Sequence, residues 1–189
     1  MDRKIRKLTI LVLLLVMFPF KSFSQFIDLK ENTYWADAGL GLSSEGFLTG
    51  VSINYVQDGI LYKLRFNVSE EFILFGPRPT EISFNSGVLY GKLFSHRFLQ
   101  VQFSGGLGLT WGTKRGELLY VEPGQGWFNI SDGRVFEADK FITPSIPLEM
   151  EVYIVPVRFV SLSAGLFCDI NLKMPTFGFL IKVGAGRYR

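Results

Sequence analysis

The chain has 189 residues, 48% hydrophobic and 20% charged, which fits one domain, or two at most, and excludes a disordered tail. One cysteine, Cys168, excludes a disulfide framework and a Cys-rich metal site. With 20 Gly and 19 Phe the composition does not suit long helices, and past the N-terminus no apolar run reaches the roughly 18 residues of a spanning helix.

The first segment reads as an address. Arg3, Lys4, Arg6 and Lys7 precede the apolar stretch Leu8–Phe20, and Ser22-Phe23-Ser24-Gln25 follows it. A basic region, a short apolar region and a small-x-small site make a secretory signal peptide over residues 1–24, cut after Ser24. An apolar stretch of 13 residues is too short for a membrane anchor, and no cysteine follows it to carry a lipid. Removing the segment leaves fifteen basic and sixteen acidic residues, net −1. The pI near 9.0 therefore belongs to the precursor, and no basic field remains to neutralise nucleic-acid phosphates.

Residues 25–33 form a short lead-in, and from Tyr34 onward the pattern has period 2, the mark of strands with two unlike faces. It predicts strands near 34–43, 47–56, 60–69, 81–94, 98–112, 142–154, 159–171 and 176–188. The fifth opposes Leu99, Val101, Phe103, Leu107, Leu109 and Trp111 to Gln100, Gln102, Ser104, Gly106, Gly108 and Thr110. Each is long enough for a tilted membrane strand, which needs about 9–11 residues. In the sixth, Pro144 and Pro147 cannot donate to a ladder, so regular pairing is expected only from Leu148.

Gln57-Asp58-Gly59, Ser95-His96-Arg97 and Pro156-Val157-Arg158 are tight turns, all after even strands, whereas the connections at 70–80 and 113–141 are long. That asymmetry is the rule for outer-membrane barrels, with the short turns and both termini periplasmic.

Residue size assigns the faces. The polar face is rich in Gly and small residues, such as Gly39, Gly41, Gly50, Gly106, Gly165 and Gly184. The apolar face carries Phe47, Tyr55, Phe66, Phe103, Trp111 and Phe179. An eight-stranded barrel is barely wide enough inside for side chains, so the small face is expected inward, with the glycines as spacers. By parity Asp37, Lys63, Arg65, Glu81, Glu149, Glu151, Asp169 and Lys182 share that inner face. Basic residues on lipid cost about 2–4 kcal/mol each at mid-bilayer, whereas inside they can pair. The expectation is a lumenal network of ion pairs and hydrogen bonds that plugs the barrel and holds the fold, in preference to a conducting path. Tyr34, Tyr55, Tyr62, Tyr90, Trp111 and Phe177 near strand ends suit interfacial girdles.

The signal peptide, the alternation and the loop asymmetry resemble the small eight-stranded outer-membrane barrels of Gram-negative bacteria, of the OmpX and OmpA transmembrane-domain type. The resemblance covers residues 34–189 through pattern and not through a motif. It implies an all-β fold, one closed antiparallel up-and-down barrel in outer-membrane lipid, folded by the barrel-insertion machinery as a monomer. Many such barrels end in an outward-facing C-terminal Phe; this chain ends Gly186-Arg187-Tyr188-Arg189, so the assembly signal differs or Tyr188 substitutes.

Enzymes of this architecture, the lipid A deacylases and palmitoyltransferases, place a His and a Ser near the outer rim. Here the only histidine, His96, falls in a predicted periplasmic turn. A Ser-His-acid device needs its members in hydrogen-bond contact. One His and one Cys make no metal set, and Gly-x-Gly runs such as Gly106-Leu107-Gly108 lack the helix of a dinucleotide site. No cofactor or metal is expected. Within 113–141, Tyr120, Trp127 and Phe128 lie on a hairpin that prolongs strands five and six and can either cap the mouth or contact an extracellular protein. The reading is a non-catalytic outer-membrane protein, structural or surface-interacting. The alternatives are a lipid-modifying enzyme, a small pore, and a soluble barrel carrying an apolar ligand.

Overall fold

The computed structural model describes residues 32–71, 77–96, 98–121 and 134–188. The predicted signal peptide, Trp127 and Phe128 lie outside the described residues. Eight strands follow one another: β1 (Thr33–Ser43), β2 (Gly46–Gln57), β3 (Ile60–Glu70), β4 (Ile82–His96), β5 (Leu99–Val121), β6 (Arg134–Val157), β7 (Val160–Asn171) and β8 (Thr176–Arg187). Each pairs antiparallel with the next, and β1 pairs with β8, so the sheet closes on itself. Closure removes the unpaired edges that an open sheet would present.

The turns have local causes. Asp58 (φ 51°) and Gly59 (φ 75°) both lie in the left-handed region, the pair that a two-residue hairpin between right-twisted strands demands. Between β1 and β2, Ser43 Oγ accepts the Glu45 and Gly46 N–H groups at 3.2 Å. Between β7 and β8, Asn171 Oδ1 accepts the N–H groups of Lys173 and Met174, at 3.0 and 2.7 Å. The N-terminal start of β1, the end of β8 and the turns after β2, β4 and β6 share one end, called here the terminal end. The other connections lie at the loop end.

β6 departs from the sequence expectation. It pairs with β5 from Arg134, and Ile142, Thr143, Pro144 and Ser145 face Trp111, Thr110, Leu109 and Gly108 in register. Between Ile142 and Ile154 only Ile146 and Pro147 lack partners in β5, and the same register resumes at Leu148 with Gly105. Pro144 points outward and Pro147 inward, so each fits the pleat and costs a donor without displacing the strand.

The burial pattern alternates along β1–β4, β7 and β8, with the Gly-rich face inward. The glycines, however, do more than leave lumenal room. A Cβ on Gly41, Gly91 or Gly106 would overlap a backbone carbonyl of the neighbouring strand, Phe179, Phe103 or Val88. These positions let adjacent backbones approach where the narrow barrel curves. Gly50, Gly165 and Gly184 match the spacer role instead: their missing Cβ atoms leave room for the side chains of Asn67, Glu151 and Tyr188.

Candidate functional site: the sealed lumen and the loop-end hairpin

Inward parity brings Lys63 and Arg65 from β3 and Lys182 from β8 against carboxylates of β1, β6 and β7. Lys63 Nζ lies 2.6 Å from Glu149 Oε2 and 2.8 Å from Glu151 Oε2. Arg65 spans two strands, with Nη1 2.9 Å from Glu149 Oε1 and Nη2 on Asp169. Lys182 bonds Glu151 and stands 3.6 Å from Asp37 Oδ1. Asp37 also accepts from Ser52 Oγ at 2.6 Å and Asn54 Nδ2 at 2.8 Å. Glu151 is the hub: beyond the two lysines it accepts from Gln102 Nε2 at 2.8 Å and from the Tyr153 hydroxyl. All seven charged groups are at most 5% exposed. Such a network gains little net energy over an apolar core, because desolvation offsets the attraction, but losing one member strands its partners.

Glu81, expected in this network, is not in it. It precedes β4 at the loop end, where its Oε1 accepts the Arg115 N–H at 3.0 Å. Parity stops meaning "inward" once the chain leaves the paired ladder, which here begins at Ile82 with Thr113.

The lumen is also less polar than expected. Towards the terminal end Trp35, Val56, Leu61, Leu93, Tyr153, Val155 and Tyr188 form one buried apolar cluster. The Trp35 ring centroid lies 5.0 Å from that of Tyr188 and 5.7 Å from that of Tyr153. Tyr188 is fully buried, its hydroxyl accepts from Ser161, and Gln100 donates to its carbonyl. Its side chain faces the lumen, so Tyr188 does not supply the outward C-terminal aromatic. A second apolar cluster, Leu48, Phe167 and Leu180, adjoins the ions, with the Arg65 guanidinium 5.8 Å from the Phe167 ring centroid.

At the loop end the β1–β2 turn folds inward. The Glu45 carboxylate accepts from Ser83 of β4 and Thr176 of β8, drawing three parts of the rim together. Burial pushes the Glu45 carboxyl above its ordinary value of 4.5, and Glu81 nearby adds to the rise, against the hydroxyl donors Ser83, Thr176 and Ser69. A folded value above the unfolded one means the folded state holds the proton more tightly. The Glu45 contribution to stability is then greatest below pH 4.5 and declines as pH rises through the folded value. Glu45→Gln should remove that decline. The check is the wild-type minus variant difference in urea midpoint across this pH range, and a difference that stays flat would refute it.

Beyond the body of the barrel, β5 and β6 run on as a hairpin in which Lys114 faces Asp139, Arg115 faces Ala138 and Tyr120 faces Val135. The β3–β4 connection docks on it. Arg78 N–H donates to Arg134 O at 3.0 Å, and Phe136 N–H donates to Arg78 O at 2.7 Å. Arg115 ties the same connection down through Glu71 and through Pro79 O, the latter at 3.0 Å from Nε. Tyr120 is more than half exposed on this hairpin.

His96 is exposed at the end of β4, at the terminal end, away from the hairpin. Cys168 is a free thiol, half-buried on the outward side of β7. Among the described residues no group of His, Cys, Asp and Glu has the arrangement of a metal site.

No family model matches the chain, and no curated protein matches it by sequence. Solved structures do match by fold. The N-terminal β-barrel domain of Pseudomonas aeruginosa OprF aligns with a TM-score of 0.56 at 15% identity, over 82% of this chain and 98% of that one. Neisserial surface protein A aligns with a TM-score of 0.54 at 13% identity, over 82% and 96%. The attachment invasion locus protein Ail of Yersinia pestis aligns with a TM-score of 0.53 at 9% identity, over 83% and 97%. This chain therefore has the fold of the small eight-stranded outer-membrane barrels, the class that its alternation and loop asymmetry resemble.

Proposed function

We propose that the chain is a non-catalytic integral outer-membrane protein whose lumen is a structural strut and whose loop-end hairpin meets an extracellular protein. Residues 1–24 act as the export signal, the terminal end faces the periplasm, and the insertion machinery places the barrel as a monomer. One observation carries the reading: the outward face of the barrel body is apolar and exposed, while the seven charges of the network are inside. Leu107 is 77% and Ile142 71% exposed, against 2% for Lys63 and 1% for Arg65. In water such a surface would aggregate; in lipid it is the solvated side. Aromatic groups support the same orientation. Tyr55, Tyr62 and Tyr90 adjoin one another towards the terminal end, and Phe66, Phe84 and Trp111 towards the loop end.

The apolar cluster at the terminal end and the ion network above it disfavour a pore. The position of His96 disfavours a lipid-modifying triad. The polar and charged lumen disfavours an apolar-ligand carrier. Ail has been crystallised with the heparin analogue sucrose octasulfate. The described loop end of this chain carries Glu45, Glu70, Glu71, Glu81, Glu117, Glu137 and Asp139 against Arg78, Lys114, Arg115, Arg134, Lys140 and Lys173, a mixed field that does not favour a polyanion.

The test is to refold residues 25–189 into detergent and into planar bilayers. The expected result is faster gel migration before boiling than after it, with no steady single-channel current. Solubility in plain buffer with no migration shift would make the soluble carrier the better reading, and a steady current would make the pore so.

A further inference from the structure

Resting on the outer-membrane reading above, we infer that Lys92, with Tyr62 and Tyr90 beside it, is a binding site for the headgroup of an anionic phospholipid in the leaflet at the terminal end. Lys92 stands exposed on the outward face of β4. Its neighbours on that face are Tyr90 and Phe94 along the strand and, in register, Ile60 of β3 and Phe103 of β5. An ammonium set among such groups has two ways to avoid hydrocarbon: an ion pair within the chain, or a reach along its own stem to the headgroups. Among the described residues no carboxylate pairs with Lys92, whereas the lumenal lysines Lys63 and Lys182 each have two. The reach is short. The Leu93 N–H donates to Gly59 O at 2.9 Å, so Lys92 lies level with the β2–β3 turn, at the edge of the apolar belt, where a lipid-facing lysine costs little.

The kind of lipid follows from the charges around the site. Tyr62 and Tyr90 meet edge to face, with ring centroids 5.7 Å apart, and Phe94 meets Phe103 in the same way at 6.4 Å. Phenol hydroxyls that can donate to a phosphate thus adjoin rings that can line an acyl chain. Phosphate is common to all phospholipids, so the surrounding field decides between them. Among the described residues the terminal end carries Lys92, Arg158 and Arg187 against Asp58 alone, while the loop end carries seven acidic side chains against six basic. A zwitterionic headgroup brings its own ammonium into that basic field, and an anionic headgroup does not. Phe98 and Phe159, in the turns after β4 and β6, are both more than half exposed at the same rim. Apolar rings next to the bases fit a lipid surface better than an acidic protein in water.

The test refolds the full barrel in detergent and counts bound lipids by native mass spectrometry, with phosphatidylglycerol and phosphatidylethanolamine of the same acyl chains as probes. The expected result is a first phosphatidylglycerol held at least about fivefold more tightly than a first phosphatidylethanolamine, the effect of one basic residue near an anionic surface. Lys92→Gln should bring that ratio below about twofold, Lys92→Arg should keep it, and Lys173→Gln at the loop end should leave it unchanged. In the unaltered chain the ratio should also fall at least about twofold on a tenfold rise in ammonium acetate, a reading that needs no variant. Equal binding of the two lipids, a ratio indifferent to salt, or a preference that survives Lys92→Gln would overturn the assignment, as would an equal loss in Lys173→Gln. Displacement of phosphatidylglycerol by an equal concentration of glycerol 3-phosphate would make this a site for soluble phosphate esters and would overturn it as well. Heat-modifiable migration is read on the same samples. A barrel that shows the shift but no lipid preference removes the headgroup site alone; a chain that shows no shift removes the outer-membrane reading itself.

Discussion

Replacing Glu151 with Leu is expected to lower the unfolding free energy of the refolded barrel by about 3–5 kcal/mol, the cost of stranding buried charge. Glu151 accepts from four groups on four strands: Lys63, Lys182, Gln102 and Tyr153. Its loss does not affect them equally. Lys63 keeps Glu149 at 2.6 Å, and the Tyr153 hydroxyl keeps Gln102 Oε1 at 3.2 Å. Of its two ion pairs Lys182 keeps the longer one, with Asp37 at 3.6 Å, and becomes the least compensated charge. The double variant with Lys182→Met should therefore be more stable than Glu151→Leu alone, although it carries one change more. Urea unfolding followed by tryptophan fluorescence measures both, and the coupling between the two sites is the quantity sought. A cost below about 1 kcal/mol for the single variant would mean that water reaches Lys182 and that the lumen is not closed around the ions.

The strands were legible because a barrel wall separates two unlike environments, and a period of two records that separation residue by residue. Parity therefore put Lys63, Arg65, Asp37 and the β6 and β7 carboxylates on one face without any knowledge of contacts. It could not say that Arg65 reaches Glu149 and Asp169, because period 2 gives a face and not a height, and heights depend on strand tilt. Applied without regard to residue type, the same parity would also have found the apolar cluster. Trp35 shares its face with Asp37, Tyr153 with Glu151, and Phe167 with Asp169. Reading bulk as outward obscured Trp35 and Tyr153, as it obscured Tyr188. The start of β6 was missed because proline was weighed as a breaker, whereas two prolines of opposite facing each remove one donor and leave the register intact. The docking of Arg78 on β6 has no sequence signal: it pairs residues 57 positions apart through backbone groups alone.

Substituting two lumen-facing glycines should separate backbone approach from lumenal space. A Cβ on Gly41 would overlap the carbonyl oxygen of Phe179 and lie 2.8 Å from its carbonyl carbon and 2.9 Å from Leu180 Cα. All three are backbone atoms of β8, across the seam where β1 closes the barrel, with Gly41 opposite Leu180. Relief there requires the two strands to move apart, which weakens ladder bonds at the seam. A Cβ on Gly50 would meet Asn67 Oδ1 at 2.5 Å and nothing else closer than 3.4 Å. Neither polar atom of the Asn67 amide has a protein partner, so that side chain can turn away without losing one. Gly41→Ala is thus expected to cost about 3 kcal/mol, at the upper end for overpacking, and Gly50→Ala less than about 1 kcal/mol. Hydrogen exchange localises the effect. In Gly41→Ala the amides of β1 and β8 should exchange before those of β3 and β4, because the seam opens first. Equal costs at the two positions, or uniform loss of protection around the barrel, would mean that both glycines serve only to leave room in the lumen.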